Sequence, residues 1–392
     1  MIQKFLDKVR PNFEDGGKLK AFRSVFEGVE TFLMVPNATS KTGVSIHDAI
    51  DSKRIMSFVV IALLPALLFG MYNIGYWHYH QAELEASMLT MFLYGLVVML
   101  PKIVVSYAVG LGIEFVVAQF AWAQWKHEEI QEGYLVSGLL IPMIVPVDCP
   151  LWMMAVAVAF AVIFAKEIYG GTGMNIFNPA LIARAFLFFA YPSKMSGDTV
   201  WINHDAVFGL GKTLTPDAYT MATPLGEAAS GHAISTDFTS MITGLMPGSI
   251  GETSVIAIAI GAFILLWTRI ASWRTMLSVF VGGALVAYLF NISGLDSGVA
   301  QIPWYEHLVL GGFCFGAVFM ATDPVTSART QNGKFVYGFL IGALAITIRV
   351  LNPGFPEGMM LAILFMNMFA PLIDYCFVQR NISKRARRAK QQ

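Results

Sequence analysis

The sequence predicts an all-α polytopic membrane protein of about ten transmembrane helices, and three observations predict it. Of 392 residues, 56% are hydrophobic and only 13% charged, about half the charged share of a soluble domain. The apolar residues gather into runs of roughly 15 to 25, the length of helix that crosses a ~30 Å hydrocarbon core. The Lys and Arg residues between those runs fall in alternate connections, as the positive-inside bias requires.

Taken in order, the apolar segments run at about 55–76, 88–125, 135–147, 151–166, 177–192, 254–268, 275–292, 308–321, 335–350 and 358–378. Nine Lys/Arg precede residue 55, and Arg380, Lys384, Arg385, Arg387, Arg388 and Lys390 close the chain. Both ends are therefore expected in the cytoplasm, and the number of crossings is even. The first 30 residues carry no cleavable-leader pattern, so the N-terminus is expected to be retained. Segment 88–125 is too long for one upright helix and too short for three; it counts as one crossing, bent near Pro101 or extended along the interface. Lys126, Arg269, Arg274, Arg329 and Lys334 then land in cytoplasmic loops, while loops 77–87 and 293–307 contain no Lys or Arg. The resulting divisions are a basic segment 1–54, a five-helix unit 55–192, an external loop 193–250, a second five-helix unit 251–378 and a basic tail 379–392.

The two units read as an internal repeat. Glu132, Asp148-Cys149-Pro150 and Asn178-Pro179 in the first match Glu306, Asp323-Pro324 and Asn352-Pro353 in the second, at spacings of 16 against 17 and then 30 against 29 residues. Five crossings per copy make the copies inverted. Each copy holds one short span, 135–147 or 308–321, only ~20 Å long as a helix. Short or interrupted spans in matching positions of inverted repeats point to a site near the bilayer midplane, with unwound backbone confined to a cavity.

Charged groups in spans are functional candidates, since a charge in hydrocarbon is costly unless paired or hydrated. Lys166, Glu167 and Arg349 lie near span ends and read as snorkelling or structural ion pairs. Glu114 and Arg184 sit deeper, while Asp323 and Asp374 lie at cytoplasmic ends, where carboxylates could receive a sodium ion or a proton. In Gly170-Gly171-Thr172-Gly173-Met174-Asn175-Ile176-Phe177-Asn178-Pro179, Asn178 is a helix N-cap with Pro179 at the first helical position. Asn175 and the glycines are left over, and they suit either a tight turn or contact with a planar, hydrogen-bonding ring. Thr223-Pro224 reads the same way as a cap, although Gly226 stands where a capping box would place Glu. Gly211-Lys212-Thr213 lacks the leading glycine of a phosphate loop, and His78 and His80 read as a solvated loop pair without further metal ligands. Cys149, Cys314 and Cys376 provide neither a disulfide framework nor an iron–sulfur ligand set. No metal site and no nucleic-acid partner is expected.

Thr220-Met221-Ala222-Thr223 resembles the S/T-G-A-T motif of flavinylated membrane subunits. Lys166 to Pro192, Pro247 to Glu252, Met320 to Val325 and Asn352 to Asp374 resemble the B-type subunit of the bacterial sodium-translocating NADH:quinone oxidoreductases, and the likeness extends over nearly the whole chain. The resemblance implies a redox subunit that moves electrons to ubiquinone with sodium export. Thr223 would carry FMN through a phosphoester, attached by a periplasmic flavin transferase; the family's glycine before Ala222 is Met221 here, but the acceptor hydroxyl is intact. Asn175 and Asn178 would lie beside a noncovalent riboflavin. Gly110, Gly112 and Glu114 fall in the family's quinone region, with Leu111 separating the paired glycines. Glu27, Glu114, Asp323 and Asp374 match acidic positions linked to sodium handling. The implied setting is the bacterial inner membrane, in a six-subunit complex with a second covalent-FMN subunit and a subunit carrying NADH, FAD and a 2Fe–2S cluster. No residue is assigned a catalytic acid–base role. Two alternatives stand beside this reading: the flavinylated D-type subunit of an Rnf-type ferredoxin:NAD oxidoreductase, and a flavin-free transporter or channel.

Overall fold

A computed structural model describes residues 2–13, 26, 52–117, 134–215, 219–295, 297–352, 354 and 357–390. Its principal helices are α1 Ser52–Gln81, α2 Met88–Val116, α3 Tyr134–Met143, α4 Leu151–Tyr169, α5 Pro179–Ala190, α6 Val255–Trp267, α7 Trp273–Ser293, α8 Trp304–Val309, α9 Gly333–Leu351 and α10 Met359–Ala389. Among the described residues no strand is formed. Six helices, α1, α2, α4, α7, α9 and α10, are long and apolar enough to cross a membrane. The outer surface carries Leu64, Leu68, Phe263, Leu277 and Leu289 exposed. Helices apolar on every side, with large aliphatic groups outside, are at rest only in lipid. The chain is an all-helical polytopic membrane protein.

Each expected apolar segment forms a helix, with informative differences. α1 runs on to Gln81, so His78 belongs to a helix and not to a solvated loop: it is fully buried, with its ring stacked 4.1 Å from Tyr94. The reason is pairing with a remote loop, since Nδ1 lies 2.7 Å from the Asn203 carbonyl and Nε2 accepts the Lys212 amide at 3.2 Å. Pro101 sits inside a continuous α2; residues 118–125 of the expected crossing lie outside the described residues, as do Glu132 and Pro353 of the repeat. The basic tail extends α10 as helix up to Ala389.

Much of the pairing recurs between residues 55–192 and 251–378, with one difference: α1 packs extensively on α2, whereas α6 makes no comparable contact with α7. α2 packs on α3 and α4, and α4 on α5; likewise α7 packs on α8 and α9, and α9 on α10. Between halves, α1 touches α6 and α5 touches α10, so first meets first and last meets last, as in an isologous pair. The α7–α9 crossing is close because a Cβ on Gly282 would overlap the Phe339 carbonyl, and one on Gly342 the Val279 carbonyl. Small residues allow such approach between helices that gain little from expelling lipid.

The short segments break where backbone groups find buried cations. After α3 the chain turns, and the Lys102 ammonium bonds the carbonyls of Pro146 and Val147. After α8 the chain unwinds at Gly311 and Gly312, both at positive φ, before Phe313–Met320 resumes the helix. There the fully buried Arg349 donates to the carbonyls of His307 at 2.6 Å and Leu310 at 3.1 Å. Carbonyls freed from a helix in hydrocarbon must be satisfied internally, and these two cations satisfy them.

Candidate functional site

Two cavities lie at opposite ends of α6. The larger, of about 380 Å³, is lined at the N-terminal end of α6 by Thr223, Arg184, Ser249, Glu252, Thr253 and Glu357. Thr223 caps the helix Pro224–Ala229, its hydroxyl accepting the Gly226 amide at 3.1 Å, as Thr-Pro at a helix start dictates. Arg184, one turn and a half into α5, is only 6% exposed. It donates to Glu252 at 2.6 Å and Ser249 at 3.4 Å, and pairs with Glu357. Glu252 is wedged in place: a Cβ on Gly312 would come within 2.7 Å of its carboxylate, so the glycine leaves its room. The Arg349 guanidinium lies alongside, donating to the Glu357 carbonyl at 3.3 Å. Thr253, 2% exposed, has a hydroxyl with no hydrogen-bond partner.

The smaller cavity, about 80 Å³, is lined near the C-terminal end of α6 by Lys166, Thr172, Asn175, Asn178, Thr322 and Asp323. Asn178 caps α5, its Oδ1 accepting the Ala180 amide at 3.0 Å, and its Nδ2 reaches Asp323 at 3.5 Å. Asp323 also accepts the Val325 amide at 3.0 Å and the Thr326 hydroxyl at 2.9 Å. Asn175 is used within its own loop, accepting from the Gly173 amide and donating to the Phe177 carbonyl. Lys166 ends a π-helical turn, Val162–Lys166. Its ammonium pairs with Glu114, each side chain 4% exposed, and lies 5.9 Å from the centre of the Tyr134 ring.

The sequence candidates thus separate into groups. Asn175, Asn178 and Asp323 share one cavity, and Lys166 links it to Glu114. Gly110 and Glu114 occupy one inward face of α2, where a Cβ on Gly110 would overlap the Tyr134 ring. Gly112, half a turn away, is exposed with open space before it. Asp374 accepts the amides of Arg329 and Thr330 and the Thr330 hydroxyl, tying α10 to the loop before α9. Glu27 lies outside the described residues.

Residues 39–383 match the NQR2, RnfD, RnfE family, and that stretch takes in both cavities. The chain belongs to this family. Among its relatives are three proteins whose name is that of the B-type subunit of Na(+)-translocating NADH-quinone reductase. The one from Chromohalobacter salexigens is 44% identical over 99% of this chain and 96% of its own length. Those from Azotobacter vinelandii and Pseudoalteromonas atlantica are 42% and 41% identical, over 99% of both chains in each case.

Within this NQR2-type chain the acidic partners of Arg184 are what sequence reading missed. Glu252 stands inside a family-like motif that gives it no role of its own, and nothing in the sequence marks Glu357. They lie 68 and 173 residues from Arg184. The only signal available was that a buried Arg must have anionic partners somewhere.

Proposed function

We propose that this chain is the membrane redox subunit of a sodium-translocating NADH:quinone oxidoreductase, set in the bacterial inner membrane with both termini cytoplasmic. The observation that carries the reading is near-full-length likeness to the B-type relatives, joined to a large cavity opening on Thr223. Its two five-helix halves are inverted copies, and its partners are the other subunits of that complex, a second covalent-FMN subunit and the NADH/FAD/2Fe–2S subunit among them, and a periplasmic flavin transferase.

In this reading Thr223 carries FMN, which supplies electron transfer in steps the polypeptide has no group to perform. The cavity suits such a group. Its volume falls within the range of ligand pockets, Arg184 supplies a buried cation, and the free Thr253 hydroxyl supplies a donor. The chain's own contribution is to hold the attachment point on a capped turn and to screen it from water.

For a noncovalent riboflavin beside Asn175 and Asn178, the wall offers carboxamides and hydroxyls, but about 80 Å³ is narrower than a three-ring ligand needs, and no electron-transfer step is placed there. Ubiquinone is assigned to the α2 region of Gly110, Gly112 and Glu114. Glu27, Glu114, Asp323 and Asp374 are assigned to sodium; the two that lie in the described interior, Glu114 and Asp323, are already engaged by Lys166 and by Asn178.

The test is a denaturing gel of the complex, made with its transferase and viewed under ultraviolet light. This subunit should fluoresce; Thr223→Ala should abolish the band and Thr223→Ser keep it. A band that survives Thr223→Ala moves the attachment to another residue, whereas a dark wild-type subunit refutes covalent flavin and favours a flavin-free transporter.

A further inference from the structure

Arg184 is bonded across the division between the two halves. It belongs to α5, the last helix of the first half. Its partners Glu252 and Glu357 precede α6 and α10, the first and last helices of the second. With Arg349 behind them on the Glu357 carbonyl, two cations and two carboxylates make a balanced cluster, of which Arg184, Glu252 and Glu357 form one wall of the cavity that Thr223 lines. The two carboxylates are not equivalent. Glu252 is 8% exposed, seated in the room that Gly312 leaves by having no Cβ, whereas the Glu357 side chain is 22% exposed. Glu357 is the partner with somewhere to go.

We infer that Arg184 is a two-position latch. It holds Glu357, and with it the α5–α10 contact, until the group on Thr223 gains negative charge; it then turns into the cavity and releases Glu357.

Three observations carry this. The guanidinium already lines the cavity. A balanced buried cluster is biased by any new charge beside it, because a ligand shifts an equilibrium by its differential interaction with two arrangements. The orphaned Thr253 hydroxyl marks the same cavity as built for a polar occupant and not for hydrocarbon. The inference rests on the FMN reading for the identity of that occupant. Electrons come from the reduced flavin of the neighbouring subunit, which is oxidised as the Thr223 group is reduced. No covalent bond in the chain changes; only hydrogen bonds of Arg184 are exchanged. Glu357 then faces the cavity's open side, where water satisfies it. The α5–α10 pairing loses its charged tie, so the halves can shift as rigid bodies.

The experiment uses the whole complex. Its first readout is the midpoint potential of the flavin component that Thr223→Ala removes, followed by spectroelectrochemistry. The second is hydrogen exchange of residues 179–190 and 357–366, in air-oxidised and dithionite-reduced samples. In the wild type, reduction should speed exchange in both segments. Glu357→Gln, close in shape, should make exchange fast in both redox states. It should also shift the potential upward, because an anion beside the ring is gone and Arg184 is free to serve it. Glu252→Gln should shift the potential in the same direction while leaving the redox response of exchange in place, since Glu357 still holds the latch.

Exchange that ignores reduction in a wild-type subunit with its fluorescent band would overturn the latch alone. An unshifted potential in Glu357→Gln would overturn it too. A wild-type subunit without the band would overturn the flavin reading, and the latch would then stand or fall on whether Glu357→Gln still loosens 179–190.

Discussion

Lys166→Met isolates the energetics of the smaller cavity. The Lys166 ammonium pairs with Glu114 where both side chains are 4% exposed, and the second carboxylate oxygen of Glu114 has no hydrogen-bond partner. Met keeps most of the lysine's aliphatic volume, so packing is little changed and the loss is electrostatic. Removing one member of a buried pair strands the other, at a cost of about 3–5 kcal/mol. Adding Glu114→Gln takes away the stranded charge and should return most of that loss, because a pair replaced by neutral groups of similar shape is often close to neutral. Unfolding in detergent, followed by tryptophan fluorescence in the wild type, both single variants and the double variant, gives the coupling energy directly. The reasoning fails if Lys166→Met costs no more than about 1 kcal/mol, the worth of an exposed pair. It fails equally if the two substitutions add to within about 0.5 kcal/mol.

Other sites give independent tests. Asn178→Ala removes the cap of α5 and the contact with Asp323; a loss of about 1 kcal/mol is expected in detergent unfolding, whereas Asn178→Ser should restore most of it by restoring the cap. Gly342→Leu forces a side chain into the Val279 carbonyl and should separate α7 from α9, read as aggregation on size exclusion, while the same change at the open Gly112 should leave folding intact. Beyond the end of α5 Asp148, by hydrogen bond and by charge, raises the affinity of Lys194 for its proton. A raised lysine contributes fully below its unfolded value and is lost as pH rises through the folded one. The protection of residues 192–196, taken as exchange relative to the base-catalysed intrinsic rate, should therefore be flat at neutral pH and fall only in strongly alkaline buffer, and Asp148→Asn should abolish that step.

Local chemistry was legible in the sequence, and remote pairing was not. Asn178-Pro179 and Thr223-Pro224 form caps because cap geometry needs only neighbours. The interruption at Gly311-Gly312 was foreseeable for the same reason, since a short glycine-rich span has few other options. The sequence places Arg349 near a span end, and the structure has it fully buried against the carbonyls of the broken helix; its helix position fixes its depth but not what faces it. His78 shows the same limit, because its partners Asn203 and Lys212 come from a loop more than 120 residues away. The Arg184 cluster joins three segments that only the paired halves bring together.

The shortness of α3, α5 and α6 has an electrical meaning. At 1.5 Å per residue they measure about 15, 18 and 20 Å, well under the ~30 Å of hydrocarbon around them. Water entering the cavities at either end of α6 would thin the insulating layer at that point, so that the membrane voltage would drop over a shorter path and the local field would be steeper. A unit charge passing from one cavity to the other would travel less than the bilayer's width, yet bear most of the roughly 2.3 kcal/mol that 100 mV imposes.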